Sequence, residues 1–215
     1  MNTSTQTHNH WDHASGNNKI KEALGDRLKV IYGGVGDNAQ GVTKEVGDGD
    51  VIEIGKLKVH VIATPCHTPG HVCYVVKLED GPQLAFTGDT LFVGGCGNFN
   101  SGTPKQMAEN FRKLGSLKGD TLVYCGHEYT ESNLLYASFV EPDNVGLKKK
   151  LEWAKANVLT VPSTILDEHE MNPFMRAAFL SPSLVKHCGT SDPAEAIKFV
   201  RHEKSAGAWK KQMKL

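Results

Sequence analysis

The sequence predicts a mixed α/β domain followed by a helical extension. Short strands with turn residues between them are dense over residues 51–86, where β-branched and aromatic side chains recur. Apolar residues recur at helical spacing after Thr103, and helical patterns prevail from about Glu141 onward. We therefore divide the chain into an α/β domain, residues 1–140, and an α-helical domain, residues 141–215.

The first elements are predicted from local patterns. The sequence NNKIKEAL predicts a short helix over residues 17–24, and Gly25 marks its end. The apolar run at residues 28–32 predicts a strand, whereas residues 1–16 are polar and rich in histidine. Four more strands are predicted at residues 51–54, 57–63, 72–78 and 84–86. Turn residues between them indicate hairpins.

Helix signals mark the second half of the chain. Thr103 is a predicted N-cap, Pro104 follows at the first helical position, and apolar residues recur at helical spacing through Leu114. A strand at residues 121–124 and helices at residues 131–140, 144–157 and 193–204 follow. Asp192 is the predicted cap of the last helix.

Composition and charge narrow the class of protein. Lysine plus arginine number 24 and aspartate plus glutamate number 24, so the net charge is zero and broad binding to nucleic acid is not favoured. No apolar run approaches the roughly 20 residues of a membrane span, and the polar amino terminus shows no signal or transit peptide. The 5 cysteines form no C-x-x-C pair, which favours a reducing compartment. We expect the cytoplasm, with the mitochondrion as the alternative.

The strongest chemical signal is the sequence THNHWDH over residues 7–13. In an extended segment, His8 and His10 point the same way because side chains alternate with period two, and Asp12 and His13 then lie on the following turn. Such a segment can offer two ligands to each of two cations. For this motif alone, a solvated histidine-rich tract or part of a purification tag is the alternative.

Three later segments each place one candidate ligand where a strand meets a loop, beside glycine: His71 at the start of a strand, and Asp89 and His127 at the end of one. These are His71 in CHTPGH, Asp89 in FTGDT and His127 in YCGHE. Taken singly, such an aspartate is often a turn or helix cap, and such a histidine is often a core or surface residue. Together with the first motif they complete seven candidates, in which His8, His10 and His71 hold one cation, Asp12, His13 and His127 hold another, and Asp89 bridges them.

This ligand set predicts hydrolysis. Imidazole and carboxylate ligands suit zinc, for which hydrolysis is expected; iron or manganese is compatible with the same set, and iron would permit other chemistry. Two such cations share a water molecule and lower its pKa enough to give hydroxide near neutral pH. Asp12 and Asp89 are then the catalytic carboxylates beside that hydroxide.

Motifs throughout the chain resemble a known family. The metal motif resembles the metallo-β-lactamase superfamily, and five segments are similar to glyoxalase II, the hydroxyacylglutathione hydrolases. These segments are PCHTPGH (65–71), FTGDTLFVGGCG (86–97), VYCGHEYT (123–130), NPFMR (172–176) and RHEK (201–204). The resemblance implies an α/β fold, a metallo-β-lactamase-type αββα sandwich truncated at its amino terminus, with a carboxy-terminal helical extension. It also implies hydrolysis of S-D-lactoylglutathione to glutathione and D-lactate in methylglyoxal detoxification.

The resemblance further implies the substrate contacts. Tyr129, Arg201 and Lys204 correspond to glutathione-binding positions. The side chains of Arg201 and Lys204 are cationic, and the two residues lie one helical turn apart on one face. A solvated helix face is the alternative for that pair. Asn98 and Asn100 stand where family members usually carry a lysine and an aromatic residue. We therefore expect weaker affinity for glutathione thioesters or an altered acyl-thiol preference.

Other functions and states remain open at this stage. A phosphodiesterase acting on RNA is disfavoured by the neutral charge, and an iron enzyme acting on glutathione persulfide, a persulfide dioxygenase, is disfavoured by the NPFMR segment. A catalytically weakened, truncated isoform acting as an interaction protein is the third alternative. A glutathione thioester is the expected partner, with no nucleic acid and no membrane. We expect a monomer, with a dimer through an exposed sheet edge as the alternative.

Overall fold

In the computed structural model, which describes residues 2–213, the chain forms a six-stranded sheet, a three-stranded sheet and a two-stranded hairpin. The strands are β1 (Thr3–Thr5), β2 (Val30–Gly34), β3 (Lys44–Val46), β4 (Val51–Ile54), β5 (Leu57–Ala63), β6 (Val72–Lys77), β7 (Gln83–Gly88), β8 (Leu91–Phe92), β9 (Gly95–Cys96), β10 (Leu122–Cys125) and β11 (Ser163–Thr164). The large sheet has the order β11-β10-β7-β6-β5-β4, in which only the β10–β7 pair is parallel. Every strand predicted from the sequence is present; β4 and β5 have the predicted bounds, and the ends of the others differ by at most two residues.

The small sheet has the order β1-β2-β3 and is parallel throughout. Its β3 residue Val46 joins an apolar cluster on one face of the large sheet, against which Tyr32 of β2 also packs. The Tyr74 hydroxyl of β6 donates to the Gln6 carbonyl oxygen at 2.8 Å. Strand β1 was not predicted, because the sequence Thr-Ser-Thr has no apolar alternation and pairs only with a distant strand.

The helices of the described residues are α1 (Trp11–Ala14), α2 (Asn17–Leu24), α3 (Pro104–Gly115), α4 (Thr130–Val140), α5 (Val145–Ala156), α6 (Ile165–Met171), α7 (Pro173–Ala178), α8 (Pro182–Cys188), α9 (Pro193–Ala206) and α10 (Ala208–Gln212). Helix α3 begins with the predicted Thr103 cap, which forms a capping box with Gln106. Asp192 caps α9 by accepting hydrogen bonds from two backbone N–H groups. Helices α1, α6, α7, α8 and α10 were not predicted, because each is too short to show an amphipathic period.

The helical region packs on the other face of the large sheet. Helices α3, α4, α7 and α9 share one apolar core with β10, and Phe111, Tyr136 and Phe174 are fully buried there. Burial of each such aromatic side chain contributes about 1.5–3 kcal/mol. The helical region and the α/β region therefore share a core, and the predicted boundary at residues 140/141 stays a prediction.

None of the helices within residues 2–213 combines the length and the apolar character that crossing a membrane requires.

Candidate metal centre and adjoining cavity

The amino-terminal ligand segment turns as the sequence predicts. His10 is the N-cap of the one-turn helix α1, and its carbonyl oxygen accepts the His13 N–H at 3.0 Å. This turn separates the side chains of the segment, so that Asp12 and His13 join one group of converging side chains and His8 and His10 join another. The Asn9 side chain, between the first two histidines, donates to the Asp37 carbonyl oxygen at 2.6 Å and anchors the segment.

The first group of converging side chains consists of His8, His10, His67 and Asp89. One donor atom of each lies within 4.8 Å of the others. The His10 Nδ1 atom is 3.2 Å from His8 Nε2 and 3.0 Å from His67 Nε2, which in turn lies 3.4 Å from Asp89 Oδ2. Nitrogen lone pairs and carboxylate oxygens so close together need a cation or protons among them.

The second group consists of Asp12, His13 and His127, whose donor atoms also lie within 4.8 Å of one another. His127 Nε2 is 3.2 Å from His13 Nε2 and 3.2 Å from Asp12 Oδ2. Asp89 faces this group too, with Oδ1 3.4 Å from His13 Nε2 and Oδ2 3.4 Å from His127 Nε2. The predicted bridging position of Asp89 therefore agrees with the distances.

The side chains fit two divalent cations by an observation independent of the histidine pattern. Asp89 Oδ1 is buried and has no hydrogen-bond partner among the described residues. A buried carboxylate oxygen without a donor is costly, and a cation between the two groups would compensate it. The donors are imidazole nitrogens and carboxylate oxygens, which zinc, iron and manganese all accept.

The structure places His67, and not the predicted His71, among the converging side chains of the first group. The His71 ring is fully buried, and its Nε2 atom accepts the Asp89 backbone N–H at 3.2 Å. Its Nδ1 atom lies 2.8 Å from the Thr64 hydroxyl and 3.1 Å from the Thr90 hydroxyl. Both ring nitrogens therefore form hydrogen bonds with protein groups, and His71 helps to hold the backbone of Asp89 in place. The signal for His67 was its place in the same CHTPGH motif.

The buried imidazoles are held neutral. Burial lowers the pKa of His8, and the neighbouring imidazoles lower it further because a second proton among them would be repelled; burial likewise lowers the pKa of His67. The neutral ring is the form that coordinates a metal. The His67 Nδ1 atom lies 3.0 Å from the Asn98 carbonyl oxygen, so Nδ1–H donates to this carbonyl and Nε2 is left to face the group.

Close backbone packing requires glycine at two positions around the site. A Cβ atom at Gly97 would lie 1.9 Å from the Asp89 carbonyl oxygen, and one at Gly126 would lie 2.4 Å from Asp89 Oδ1. Any other residue would displace the carboxylate that faces both groups. The glycines in the GCG and CGH sequences therefore belong to the site.

A cavity of about 340 Å³ extends from the first group to the helical region. Its lining residues are His67, Asp89, Phe92, Cys96, Gly97, Asn98, Tyr129, Ser132, Asn133, Arg201 and Lys204. The predicted contacts Tyr129, Arg201, Lys204 and Asn98 are therefore all on its wall. Asn100 is exposed and is not among the lining residues.

Two cations lie at the helical end of this cavity. The Lys204 ammonium contacts Asn133 Oδ1 and lies 5.8 Å from the Tyr136 ring centre and 5.9 Å from the Phe174 ring centre. Burial, with Arg201 nearby, lowers the pKa of Lys204 to about 7. Arg201 Nη1 donates to the Cys96 carbonyl oxygen at 2.9 Å. The pair is thus built into the protein and is not a solvated helix face.

Tyr129, on the cavity wall, lies beside His127 of the second group. Its ring stacks on that of His127, with centres 5.0 Å apart and planes at 14°. It also packs edge-on against Phe92 at 5.3 Å. Tyr129 is 49% exposed and is one of the residues that line the cavity.

Comparison with known proteins relates both parts of the chain to the same group. A family model described as the metallo-beta-lactamase superfamily matches residues 6–127, and one described as the hydroxyacylglutathione hydrolase C-terminus matches residues 128–206. The cytoplasmic hydroxyacylglutathione hydrolase of Arabidopsis thaliana is 45% identical over 205 residues, which cover 92% of this chain and 78% of the relative. A hydroxyacylglutathione hydrolase-like protein of Gallus gallus is 42% identical over 206 residues, with 92% and 71% covered.

A solved structure supports the fold. The crystal structure of ETHE1 from Myxococcus xanthus aligns with a TM-score of 0.58 over 96% of this chain and 77% of that chain, at 23% identity. At this identity the likeness shows the fold alone. The sandwich with a helical carboxy-terminal region is thereby confirmed.

Proposed function

Because the chain belongs to the hydroxyacylglutathione hydrolase family of the metallo-β-lactamase superfamily, we propose that it cleaves S-(2-hydroxyacyl)glutathione thioesters by hydrolysis. The proposed substrate is S-D-lactoylglutathione, which yields glutathione and D-lactate in methylglyoxal detoxification. The observation that carries this proposal is the pair of histidine and aspartate groups at one end of a cavity whose other end is cationic.

The residues proposed to hold two divalent cations are His8, His10 and His67 in one group, Asp12, His13 and His127 in the other, and Asp89 between them. When bound, the two cations would supply Lewis acidity, which activates water for attack and stabilises negative charge on the thioester oxygen. We propose zinc as the native metal, because five imidazoles and two carboxylates suit it.

The two carboxylates differ in their access to solvent. The Asp12 side chain is 32% exposed, whereas that of Asp89 is 10% exposed. We propose that Asp89 fixes the spacing of the two groups, held in place by the hydrogen bond from its backbone N–H to His71. Asp12 is the better placed of the two to accept the proton that the attacking water loses and to pass it to solvent.

The cationic end of the cavity is proposed to bind the carboxylates of glutathione. Lys204 offers a buried ammonium, and Arg201 keeps N–H groups beyond the one that donates to Cys96. The Tyr129 hydroxyl is a further proposed contact. With the carboxylates held there, the thioester bond lies toward the histidine groups. Asn98 is on this wall without a charge, so we propose weaker binding than a lysine at that position would give.

The test is the hydrolysis of S-D-lactoylglutathione by purified, zinc-loaded protein, followed by loss of thioester absorbance and release of free thiol. The proposal predicts that both signals change together, and that Asp89→Asn and chelation of the metal each abolish them. Metal-loaded protein without thioester hydrolysis would contradict it. None of the comparisons favours the RNA phosphodiesterase, the persulfide dioxygenase or the interaction protein over this activity.

The partner and location proposals follow the family. We propose a glutathione thioester as the small-molecule partner and a cytoplasmic location, since the Arabidopsis relative is named cytoplasmic. A monomer is the proposed state. Sedimentation of the zinc-loaded protein at several concentrations tests it, and a mass that doubles with concentration would favour pairing through a sheet edge instead.

A further inference from the structure

The hairpin of β8 and β9 is held at its turn by side chains from the helical region. The Asn172 Nδ2 group donates to the Phe92 carbonyl oxygen at 3.3 Å and to the Gly95 carbonyl oxygen at 2.9 Å. The Gly94 N–H donates to Glu168 Oε2 at 3.0 Å. Two side chains therefore form hydrogen bonds with three backbone polar groups of this turn, which belongs to neither the large nor the small sheet.

Glu168 and Asn172 form a closed polar pair, which we call the 168–172 clamp. Both side chains are fully buried, and Asn172 Nδ2 also donates to Glu168 Oε2 at 2.8 Å. Glu168 Oε1 accepts the Ser163 hydroxyl at 2.5 Å, and Asn172 Oδ1 accepts the Phe174 N–H at 2.9 Å as the N-cap of α7. Buried polar groups are retained at a cost, so a fully paired set at one turn indicates a positional requirement.

The clamped hairpin leads directly into the wall of the catalytic cavity. Cys96 ends β9, and its carbonyl oxygen accepts the Arg201 guanidinium. Gly97 packs on the Asp89 backbone, and the Asn98 carbonyl oxygen accepts the Nδ1–H of His67. A displacement of the turn at Gly94 would therefore alter both the cavity wall and the orientation of one proposed ligand.

We propose that Glu168 and Asn172 are positioning residues for the thioester hydrolysis, a statement that rests on the proposed function. They hold hairpin β8–β9 so that the Asn98 carbonyl oxygen meets His67 and the cavity keeps its shape. Neither residue lines the cavity or belongs to the two groups of candidate ligands. Asn172, the first residue of the NPFMR segment, would thus affect hydrolysis by positioning the hairpin and not by contacting the substrate.

The hairpin needs such support because it is intrinsically weak. Each of its strands has two residues, and two-stranded hairpins of this size are unstable alone. Gly94 adopts φ +63°, and Gly95 follows it, so the turn has more conformational freedom to lose than an ordinary one. Asn133 of α4 adds one bond, from Nδ2 to the Val93 carbonyl oxygen at 2.9 Å. The 168–172 clamp supplies three more, to the Phe92 and Gly95 carbonyl oxygens and from the Gly94 N–H.

The experiment compares three clamp variants with a matched control. Glu168→Ala removes the acceptor for Gly94, and Asn172→Ser keeps a cap for α7 but removes the donor to the hairpin. Glu168→Gln is the conservative variant, because its amide oxygen can accept from Gly94 and its amide nitrogen can donate to Ser163. Glu141→Ala is the control, since this buried carboxylate bonds Arg176 and Ser183 in the same helical region without touching the hairpin.

Three readouts are taken on zinc-loaded protein: amide exchange over residues 91–98, zinc affinity by chelator competition, and the separate kcat and KM values. We expect Glu168→Ala and Asn172→Ser to speed exchange over residues 91–98. We also expect them to lower zinc affinity and kcat/KM about tenfold, the lower end of the range for residues that orient a metal ligand. We expect Glu168→Gln to keep the wild-type exchange, zinc affinity and kinetic constants. Glu141→Ala should lower the melting temperature without changing these three readouts.

The proposal is overturned if folded Asn172→Ser protein shows wild-type exchange over residues 91–98, or if Glu141→Ala reproduces the whole pattern. Should Glu168→Ala fail to fold, Asn172→Ser and Glu168→Gln still decide. Amide exchange and zinc affinity are independent of turnover. A wild-type protein that does not hydrolyse the thioester would therefore refute the proposed function and leave the clamp to be judged by those two readouts.

Discussion

Replacing Glu168 by glutamine should change how the stability of the protein depends on pH. The Glu168 carboxyl is fully buried, and burial raises its pKa from the ordinary 4.5 to about 7. The folded state therefore keeps a proton between these two pH values, which the unfolded state has already released. As the pH rises through this window, proton release favours unfolding, so stability is highest below pH 4.5 and falls until about pH 7.

The size of the effect follows from the same pair of values. Each pKa unit corresponds to about 1.4 kcal/mol, so the carboxyl lowers the free energy of unfolding by about 3 kcal/mol across the window. Glutamine resembles the protonated acid and does not titrate. We therefore expect Glu168→Gln to match the wild type near pH 4.5 and to exceed it by up to about 3 kcal/mol above pH 7.

The assay is urea unfolding of wild-type and Glu168→Gln protein in parallel at several pH values from 4.5 to 8.5, with equal zinc loading. The other titrating groups, including the candidate ligands, are common to both proteins and cancel in the difference. A difference in free energy of unfolding that stays constant over this range would refute the reasoning, because Glu168 would then titrate alike in the folded and unfolded states.

Three further predictions concern the candidate ligands and the cavity. His67→Ala should lower zinc affinity more than 100-fold, which is beyond the range for residues that only orient a ligand. His71→Ala should chiefly destabilise the fold, by about 1–3 kcal/mol, because it leaves the Asp89 N–H unpaired. Chelator competition and thermal unfolding distinguish the two effects, and equal losses of zinc affinity would contradict the assignment. Asn98→Lys should lower KM for S-D-lactoylglutathione about tenfold by adding a charged contact, and an unchanged KM would count against a role for this position. The pKa of Lys204 is lowered to about 7, so its side chain is charged below pH 7 and loses its charge above it. The kcat/KM of the wild-type protein should therefore decline above pH 7 relative to that of Lys204→Arg, whose guanidinium stays charged. A constant ratio of the two pH profiles would be inconsistent with carboxylate binding by Lys204.

The candidate ligands of the amino-terminal segment could be predicted because their geometry is local. His8, His10, Asp12 and His13 lie within one short turn, so the alternation of side chains and one helical turn place them. Asp89 and His127 were predicted to lie at the ends of strands, and the structure brings those ends together because β7 and β10 are parallel neighbours.

The choice between His67 and His71 could not be made from sequence. Both flank the same turn, and which one faces the candidate metal groups depends on where the Thr64 and Thr90 hydroxyls and the Asp89 N–H lie. These partners come from two other segments. The bonds of His71 are formed only after the sheet assembles, and no local period encodes them.

The helical region was harder to predict than the sheet. Helices α6, α7 and α8 are each one or two turns long, and Asn172 acts both as the cap of α7 and as a donor to the hairpin. The pairing of Glu168 with Gly94 joins residues distant along the chain. Such contacts are decided by tertiary packing, so the sequence indicated helices in this region without indicating what they hold.

The most direct test of the account is an anomalous difference map from crystals of the zinc-loaded protein. We predict two peaks, one contacted by His8, His10 and His67 and the other by Asp12, His13 and His127, with Asp89 contacting both. A single peak, or a peak coordinated by His71 in place of His67, would contradict it.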